Sequence, residues 1–351
     1  MKLFVYMSLS ALLVLGGWWL WHSNEPPSPS AQLNFELWQD FKTKFINQGR
    51  VIDFENGQIS HSEGQGYAML MALAANDHPT FDALWQWTQS TLTRQDGLFA
   101  WQYTPCEYHD SRCVSDWNNA TDGEILIAWA LLKAHRQWKD EHYLSSARNL
   151  TTLILEKLIV EQNGQAFLIP GQAGFIEPGR LTLNASYWVF PALEDFDRSF
   201  PSPMWSRLIQ SGMEVSQIGF GDVNLPLDWV DVLANGELTF SHKFEPIYGF
   251  NAVRILLHQA WSSEGLTSTQ LNSYLDFWSK FEPPVAWINV ETEETSNYAW
   301  STGMQAIAEF AQARASGYQL TPQDIPRPKD EEGYFSWSLV LLTHIAIQET
   351  E

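Results

Sequence analysis

Residues 59–73 are the most informative part of the chain and read ISHSEGQGYAMLMAL. Ser62 is followed three residues later by Gln65, a spacing typical of the capping box that opens a helix. The apolar run at residues 69–73 predicts that this helix enters a core and ends near Asn76. Glu63 would lie in the first turn, where the helix dipole favours a carboxylate. These residues alone leave two interpretations of Glu63 open, a helix-stabilising acid or a catalytic acid.

A second segment of the same kind occupies residues 116–124, DWNNATDGE, and is followed by the apolar run ILIAWALL. Thr121 and Glu124 have the spacing of another capping box, which predicts a helix from here to about Trp138. Asp122 would lie in its first turn. The two segments therefore predict two helices that each carry a carboxylate at the N-terminal end.

The rest of the chain is helical in pattern. Apolar stripes predict about eleven helices of roughly 14–20 residues, among them the first at about residues 31–48, the third capped by Thr80, and one at about residues 203–216. No convincing series of strands is present, and residues 164–183 are expected to form a short hairpin or an irregular loop. Short connections between long helices with apolar faces indicate antiparallel helix pairs, and hence an all-α fold.

The composition limits the partners of the protein. The formal net charge is −21, from 41 acidic and 20 basic residues. Because phosphate binding needs clustered Lys and Arg, nucleic acid and anionic membrane surfaces are not expected as partners. A neutral glycan is compatible with this charge, and a polycation such as chitosan would be attracted. The 18 Trp, 11 Tyr and 20 Phe suit stacking on sugar rings, although a Trp-rich core is the plainer interpretation.

The N-terminus has the pattern of a targeting segment. Residues 3–21 carry no charge, and this length lies between a signal-peptide core and a membrane-spanning helix. We expect residues 1–21 to be a signal sequence or a signal anchor, with Trp18, Trp19 and Trp21 as an interfacial belt and cleavage after Gly17 left open. Residues 22–31 are expected to be a Pro- and Ser-rich linker, and residues 32–351 a single domain in the periplasm or outside the cell.

Two cysteines, Cys106 and Cys113, lie in one polar loop. In an oxidising compartment they would form a local disulfide, and the alternative is a weak metal cluster with His109. The disulfide is favoured because no second Cys or His pair completes a metal site. No metal or nucleotide cofactor is indicated, and the protein is expected to be a monomer.

The two helix-opening segments resemble known signatures. HSEGQGY at residues 61–67 is similar to the serine–glutamate–glycine motif of glycoside hydrolase family 8, which contains cellulases and related glucanases, xylanases and chitosanases. ATDGE at residues 120–124 is similar to that family's second signature, which usually has aspartate at the place of Glu124. Two such motifs about sixty residues apart are more specific than either one. The resemblance implies an (α/α)6 barrel with a cleft at one end.

The resemblance also implies roles for individual residues. Glu63 matches the family's general acid, and Asp122 matches the aspartate that binds the sugar ring at the cleavage point and helps to distort it. Apolar neighbours and Asp122 are expected to raise the pKa of Glu63, which must keep its proton near neutral pH. Asp228 lies in a segment that is similar to a proline–aspartate–tryptophan turn of the family. Two roles are considered for it, a contact with substrate and a structural role in the loop. The residues expected to contact substrate are Tyr67, Trp101, Tyr187 and Arg254.

One position departs from the family pattern. In YGFNAVRI at residues 248–255, Asn251 takes the place where the best-known members have the aspartate that acts as catalytic base. An amide can orient a water molecule but cannot take its proton. Three interpretations are open: another carboxylate is the base, or water attacks without activation at a rate about 10²–10⁴-fold lower, or the protein only binds glycans. The candidate carboxylates are Asp116, Glu107, Asp110 and Glu245.

The resemblance thus implies an endo-acting, inverting hydrolase of β-1,4-glucan, with cellulose or a related polymer as substrate. Xylan and chitosan stay open as substrates, because the residues that discriminate between them are not identifiable from the sequence. The alternative function is that of a catalytically impaired glycan-binding protein on the same fold.

Overall fold

A computed structural model describes the backbone of residues 29–350 and the side chains of residues 36–350. The predicted signal or anchor segment lies outside these residues. Within them, eleven α-helices of 10–18 residues are present. In chain order they are α1 (Pro29–Phe45), α2 (Ser62–Ala74), α3 (His78–Leu92), α4 (Thr121–Trp138), α5 (Glu141–Lys157), α6 (Phe190–Ser199), α7 (Pro203–Ser216), α8 (Ala252–Trp261), α9 (Ser268–Trp278), α10 (Thr302–Ser316) and α11 (Tyr334–Thr350).

These helices form the predicted (α/α)6 barrel. Helices α2, α4, α8 and α11 are buried along nearly their whole length, whereas α3 and α5 bury a single stripe spaced by three or four residues. The buried helices pack against neighbours on both sides, with α2 between α3 and α4, and α4 between α2 and α5. Of the helices described, none has the length and hydropathy that a membrane span needs.

Short antiparallel strands connect the helices and shape one end of the barrel. They are β1 (Ile46–Asn47), β2 (Arg50–Val51), β3 (Ser60–His61), β4 (Gln102–Tyr103), β5 (Val114–Asp116), β6 (Ile159–Gln162), β7 (Gln165–Leu168), β8 (Ile176–Glu177), β9 (Arg180–Leu183), β10 (Val230–Leu233), β11 (Leu238–Phe240), β12 (Ile247–Tyr248) and β13 (Ile288–Asn289). They form a four-stranded sheet in the order β11-β10-β9-β8, a three-stranded sheet in the order β3-β4-β5, and three two-stranded pairs, β1-β2, β6-β7 and β12-β13.

The N-terminal end of α2 differs from the predicted capping box. The N-cap is His61, which leaves strand β3 in an extended conformation and accepts the backbone N–H of Gly64 at Nδ1, at 3.1 Å. Gln65 does not reach back to the helix start. Its side chain accepts the N–H of Val51 at 2.7 Å and donates to the carbonyl of Gly49 at 3.0 Å. The sequence spacing was misleading because these backbone groups from the β1–β2 turn are the nearer partners.

Helix α4 likewise begins without a capping box. Its N-cap, Ala120, makes no side-chain bond. Thr121 donates its hydroxyl to the carbonyl of Ile169 at 2.6 Å, and Glu124 accepts the N–H of Phe99 at 2.8 Å. Burial raises the pKa of Glu124 well above its ordinary value.

Two other predictions at element boundaries need correction. The side chain that caps α3 is Asp77, which accepts the N–H of Thr80 at 3.2 Å, and not Thr80 itself. Helix α1 begins at Pro29, so residues 29–31, predicted as linker, are helical. Residues 164–183 do form hairpin structure, through the pairs β6-β7 and β8-β9.

Many of the aromatic residues are core residues, in agreement with the plainer interpretation of the composition. The indoles of Trp38, Trp188, Trp205 and Trp337 are almost fully buried. In the loop between β4 and β5, Cys106 and Cys113 form a disulfide, with an S–S distance of 1.97 Å. The disulfide closes the loop just before β5, the strand that leads to the start of α4.

Candidate active site

The helices that carry Glu63 and Asp122 approach each other very closely at their N-terminal ends. Gly66 and Gly123 make this approach possible. A Cβ added to Gly66 would lie 2.6 Å from Leu126 Cβ, and one added to Gly123 would lie 2.2 Å from Ser62 Oγ. Only glycine fits at either position without moving α2 away from α4. The two first-turn carboxyls are brought together because of this contact.

A buried arginine from α8 joins the two carboxyls. Arg254 is 3 % exposed, and its Nη1 forms an ion pair with Glu63 and lies 3.4 Å from Asp122 Oδ2. The same Nη1 donates to the hydroxyl of Tyr67 at 2.9 Å. Tyr67 is 1 % exposed, so its position does not suit the predicted contact between its ring and a sugar, and it supports Arg254 instead. Arg254, also expected at the substrate, is in contact with the two carboxyls.

The electrostatics of the pair differ from the prediction for Glu63. Burial raises the pKa of both carboxyls, but at Glu63 the charge of Arg254, the nearby His61 and the hydrogen bond with Asp122 outweigh burial and lower the pKa. At Asp122, burial and the charge of Glu63 raise the pKa well above its ordinary value. The difference between the two pKa shifts agrees with the exposure of the side chains. Glu63 is 16 % exposed and Asp122 only 2 %, so burial disfavours the charged form more at Asp122. Of the two carboxyls, Asp122 therefore holds a proton more tightly than Glu63.

The carboxyl pair opens into a cavity of about 700 Å³. Trp101 and Tyr187, both predicted to contact substrate, line this cavity together with Glu63 and Asp122. Tyr187 packs edge-on against Trp229, with ring centroids 6.2 Å apart, which fixes its orientation. The cavity therefore combines aromatic rings that suit a pyranose with two carboxyls whose pKa values are shifted in opposite directions.

Asn251, the residue at the usual base position, lies next to this network. Its Oδ1 accepts Arg254 Nη2 at 2.7 Å and Asn184 Nδ2 at 3.0 Å. Behind it, Asp228 Oδ1 accepts the backbone N–H groups of Asn251 at 3.1 Å and Ala252 at 2.7 Å, and thereby fixes the start of α8. Burial raises the pKa of Asp228 to about 6. The structural role considered for Asp228 is therefore present in the structure.

The four carboxylates proposed from the sequence as the base do not line the cavity: Asp116, Glu107, Asp110 and Glu245. Asp110 is held by Arg112 in a bidentate ion pair, which lowers its pKa to about 2 and makes it a poor proton acceptor. A carboxylate that sequence reasoning missed, Glu55, does line the cavity. Among the described residues its carboxylate has no hydrogen-bond partner, and burial together with Asp53 and Glu332 raises its pKa.

No sequence signal indicated Glu55, because it lies in the loop between β2 and β3 without a helical or strand pattern around it. Its neighbour Asp53 also lines the cavity but accepts the N–H groups of Glu55 and Asn56 at 3.0 and 3.3 Å. Asp53 thus stabilises the turn, whereas the Glu55 carboxylate makes no hydrogen bond within the described residues.

Comparison with known proteins decides the family. The family model described as "Glycosyl hydrolases family 8" matches residues 26–349. The chain belongs to glycosyl hydrolase family 8. It is 38 % identical over 277 residues to an endoglucanase of Cellulomonas uda, covering 78 % of this chain and 76 % of the relative. It is 32 % identical over 330 residues to a probable endoglucanase of Novacetimonas hansenii, covering 92 % and 93 %.

The solved structures agree. A family 8 glycosyl hydrolase from Klebsiella pneumoniae, described as an endoglucanase, matches with a TM-score of 0.81 and 36 % identity over 90 % of this chain and 100 % of that one. An endo-β-1,4-glucanase from Acetobacter xylinum matches with a TM-score of 0.82 and 31 % identity over 90 % and 98 %. The predicted family and the predicted (α/α)6 barrel are confirmed, and this family 8 member is a glycoside hydrolase.

Proposed function

We propose that this family 8 member is an inverting, endo-acting β-1,4-glucanase whose general acid is Glu63. The observation that carries the proposal is the buried network of Glu63, Asp122 and Arg254 at a cavity lined by Trp101 and Tyr187. The relatives named as endoglucanases support a β-1,4-glucan as the substrate. Cellulose or a related glucan is proposed before xylan or chitosan for this reason.

A proton on the Asp122–Glu63 pair supplies the acid step. Glu63 must donate a proton to the leaving glycosidic oxygen. In the proposed resting state this proton lies on Asp122, whose pKa is raised and which is hydrogen-bonded to Glu63. Transfer of this proton along the hydrogen bond loads Glu63. The Asp122 carboxylate that remains is stabilised by Arg254 and by the N–H of Gly123, which donates to Asp122 Oδ1 at 2.8 Å. Asp122 is then free, as an anion, to hold the sugar ring.

Inversion also needs a base on the opposite face of the sugar, with roughly 6.5–9.5 Å between the two carboxyls. Asn251 cannot accept a proton. We assign the base to one of two carboxylates. Asp228 does not line the cavity, but it lies directly behind Asn251, the usual base position, and has a pKa of about 6. Glu55 lines the cavity, with a raised pKa and no hydrogen-bond partner for its carboxylate among the described residues. A raised pKa brings a carboxylate closer to the operating pH, which favours base catalysis.

The test is to incubate the purified full-length protein with carboxymethyl cellulose, xylan and chitosan and to measure new reducing ends. The Glu63→Gln variant is the matched control, because it keeps the shape of the side chain and removes the proton. Release from the cellulose derivative that is lost in Glu63→Gln supports the proposal. Release from xylan or chitosan alone would replace the proposed substrate.

A second candidate function rests on Asn251. With an amide at the usual base position, the protein would bind glycans without cleaving them. In that case no reducing ends would form, and Glu63→Gln would leave glycan affinity nearly unchanged. Titration of both proteins with a cello-oligosaccharide separates this function from hydrolysis.

For the location we propose that residues 3–21 carry the enzyme out of the cytoplasm and that the anchor stays attached. The uncharged segment and a disulfide between Cys106 and Cys113, which suits an oxidising compartment, support this. N-terminal sequencing of the mature protein tests it. A mature chain that begins beyond residue 17 would contradict the anchor.

A further inference from the structure

A second cavity, of about 480 Å³, lies outside the site described above and is lined by Thr93, Arg94, Gln95, Asp96 and Trp117. Trp117 is 49 % exposed. Among the described residues its indole has no aromatic partner, whereas rings such as Trp85, Trp87 and Tyr187 each pack on another ring. The Trp117 ring is therefore available in this groove for stacking against a ligand.

The backbone around Trp117 is held rigidly. Asp116 Oδ1 accepts the N–H of Asn118 at 2.8 Å. The Asn118 side chain then bonds the backbone of Ala173 in both directions, donating to its carbonyl at 3.0 Å and accepting its N–H at 3.2 Å. The strand that precedes Trp117, β5, is paired with β4. The indole is thus presented on a fixed loop, and binding would lose little conformational entropy.

The same contacts connect Trp117 to the active-site cavity. The N–H of Trp101, which lines that cavity, donates to the carbonyl of Asn118 at 2.8 Å. Gln102, which also lines the cavity, is paired with Asp116 on β5. Residues that directly flank Trp117 are therefore bonded to residues at the Trp101 end of the cleft. Trp117 is therefore held close to the part of the cavity wall that Trp101 forms.

The charges of the groove favour a neutral ligand. The charge of Arg94 is neutralised by Asp96, to which it donates from Nε at 3.1 Å and from Nη2 at 3.0 Å. Lys157 Nζ also lies 3.9 Å from Asp96 Oδ2, but Lys157 does not line the groove. Among the residues that do line it, the one cation, Arg94, is paired with the one anion, Asp96. Gln95 is exposed, and its amide has no hydrogen-bond partner among the described residues. An amide beside an exposed indole is suited to the hydroxyls and the apolar face of a pyranose.

We propose that Trp117 and Gln95 form an outlying subsite that holds a neutral β-glucan chain after it leaves the cleft past Trp101. The inference rests on the proposed function, since it takes the same polymer as ligand, but its test measures binding and not turnover. The subsite would favour long chains over short ones, because only a long chain spans the cleft and reaches Trp117.

The experiment is calorimetric titration of the full-length Glu63→Gln protein with cello-oligosaccharides of increasing length, repeated after adding Trp117→Ala. Loss of one stacked ring is expected to weaken binding of the longest oligosaccharide by about 2- to 12-fold. The shortest oligosaccharide should show a much smaller loss. Trp117→Tyr keeps a ring and should restore most of the affinity. The matched control is Tyr318→Ala, which removes another exposed ring, 65 % exposed and beyond the end of α10.

Four outcomes would overturn the proposal. They are equal affinity with and without the Trp117 ring, an equal loss for every chain length, an effect of the same size in Tyr318→Ala, and a change of oligomeric state in place of a change in affinity. A fifth outcome, no binding of β-glucan by the Glu63→Gln protein itself, overturns the proposal as well. If the wild type binds β-glucan as expected but does not hydrolyse it, the proposed function is overturned, and the titrations still decide whether Trp117 forms a subsite.

Discussion

Substitution of Gly123 by alanine is predicted to separate the two carboxyls of the active site. The added Cβ would lie 2.2 Å from Ser62 Oγ and 2.9 Å from the backbone nitrogen of Glu63, whereas ordinary contacts begin at 3.4 Å. Helix α4 must therefore move away from α2 by roughly 1 Å. This movement pulls Asp122 away from Glu63 and weakens the hydrogen bond between the two carboxyls.

The expected effect on activity is much larger than the effect on stability. Overpacking costs about 1–3 kcal/mol of unfolding free energy, and the better helix propensity of alanine returns up to about 1 kcal/mol. The net loss is thus roughly 0–3 kcal/mol. A displacement of about 1 Å at reacting groups lowers the rate by about 10²-fold. We therefore expect Gly123→Ala to fold and to lose about 99 % of kcat.

A second substitution, Ser62→Gly, tests whether the steric contact is the cause of the loss. Ser62 supplies the two atoms nearest to the added Cβ, and its Oγ has no hydrogen-bond partner among the described residues. Ser62→Gly removes both atoms but leaves the backbone nitrogen of Glu63 at 2.9 Å from the added Cβ, so Ser62→Gly/Gly123→Ala should recover part of the lost kcat. The assay is kcat on a soluble β-glucan, with urea unfolding for each variant. Wild-type kcat in Gly123→Ala, or a folded double variant no more active than the single one, would refute the reasoning.

Two further predictions concern the two carboxylates proposed as the base, Asp228 and Glu55. Asp228 has a folded pKa of about 6, above the ordinary 3.8, so the protonated form is favoured in the folded state and stability is lost as the pH rises from about 4 towards about 6. The expected loss of unfolding free energy is about 3 kcal/mol, and urea unfolding at about pH 4 and about pH 7 measures it. In Asp228→Asn the unfolding free energy should depend much less on pH over this range. An unfolding free energy of the wild type that rises between the two pH values would contradict the prediction. The second prediction concerns the identity of the base and compares Glu55→Gln with Asp228→Asn. The variant that lacks the base should have a kcat about 10²–10⁴-fold lower, and the acidic limb of its pH–rate profile should disappear. Full activity in both variants would exclude both assignments.

Local pattern was enough to place the helices that carry the site. The run after Glu63 and the run after Asp122 are continuous and apolar, and α2 and α4 begin within a residue of the predicted starts. Helix α7 has the predicted bounds, 203–216. Such signals depend on side chains three and four residues apart, so they are complete within one stretch of sequence.

What the sequence missed depends on groups that are distant in the chain. Gln65 was assigned to a cap, but its partners come from the β1–β2 turn. The pKa of Glu63 was expected to rise, but it falls because Arg254, 191 residues away, pairs with it. Glu55 and Trp117 lie in loops, where no periodicity marks a side chain as facing a cavity. Tertiary contacts decide each of these properties.

The central claim is that Glu63 protonates a glycosidic bond in β-1,4-glucan, and release of reducing ends tests it most directly. Wild-type protein and Glu63→Gln are incubated with amorphous cellulose and with carboxymethyl cellulose at matched concentration, and binding of each protein is measured in parallel. We predict release by the wild type and none above background by Glu63→Gln, with both proteins bound. Equal release by the two proteins, or binding by both without any release, would contradict the claim.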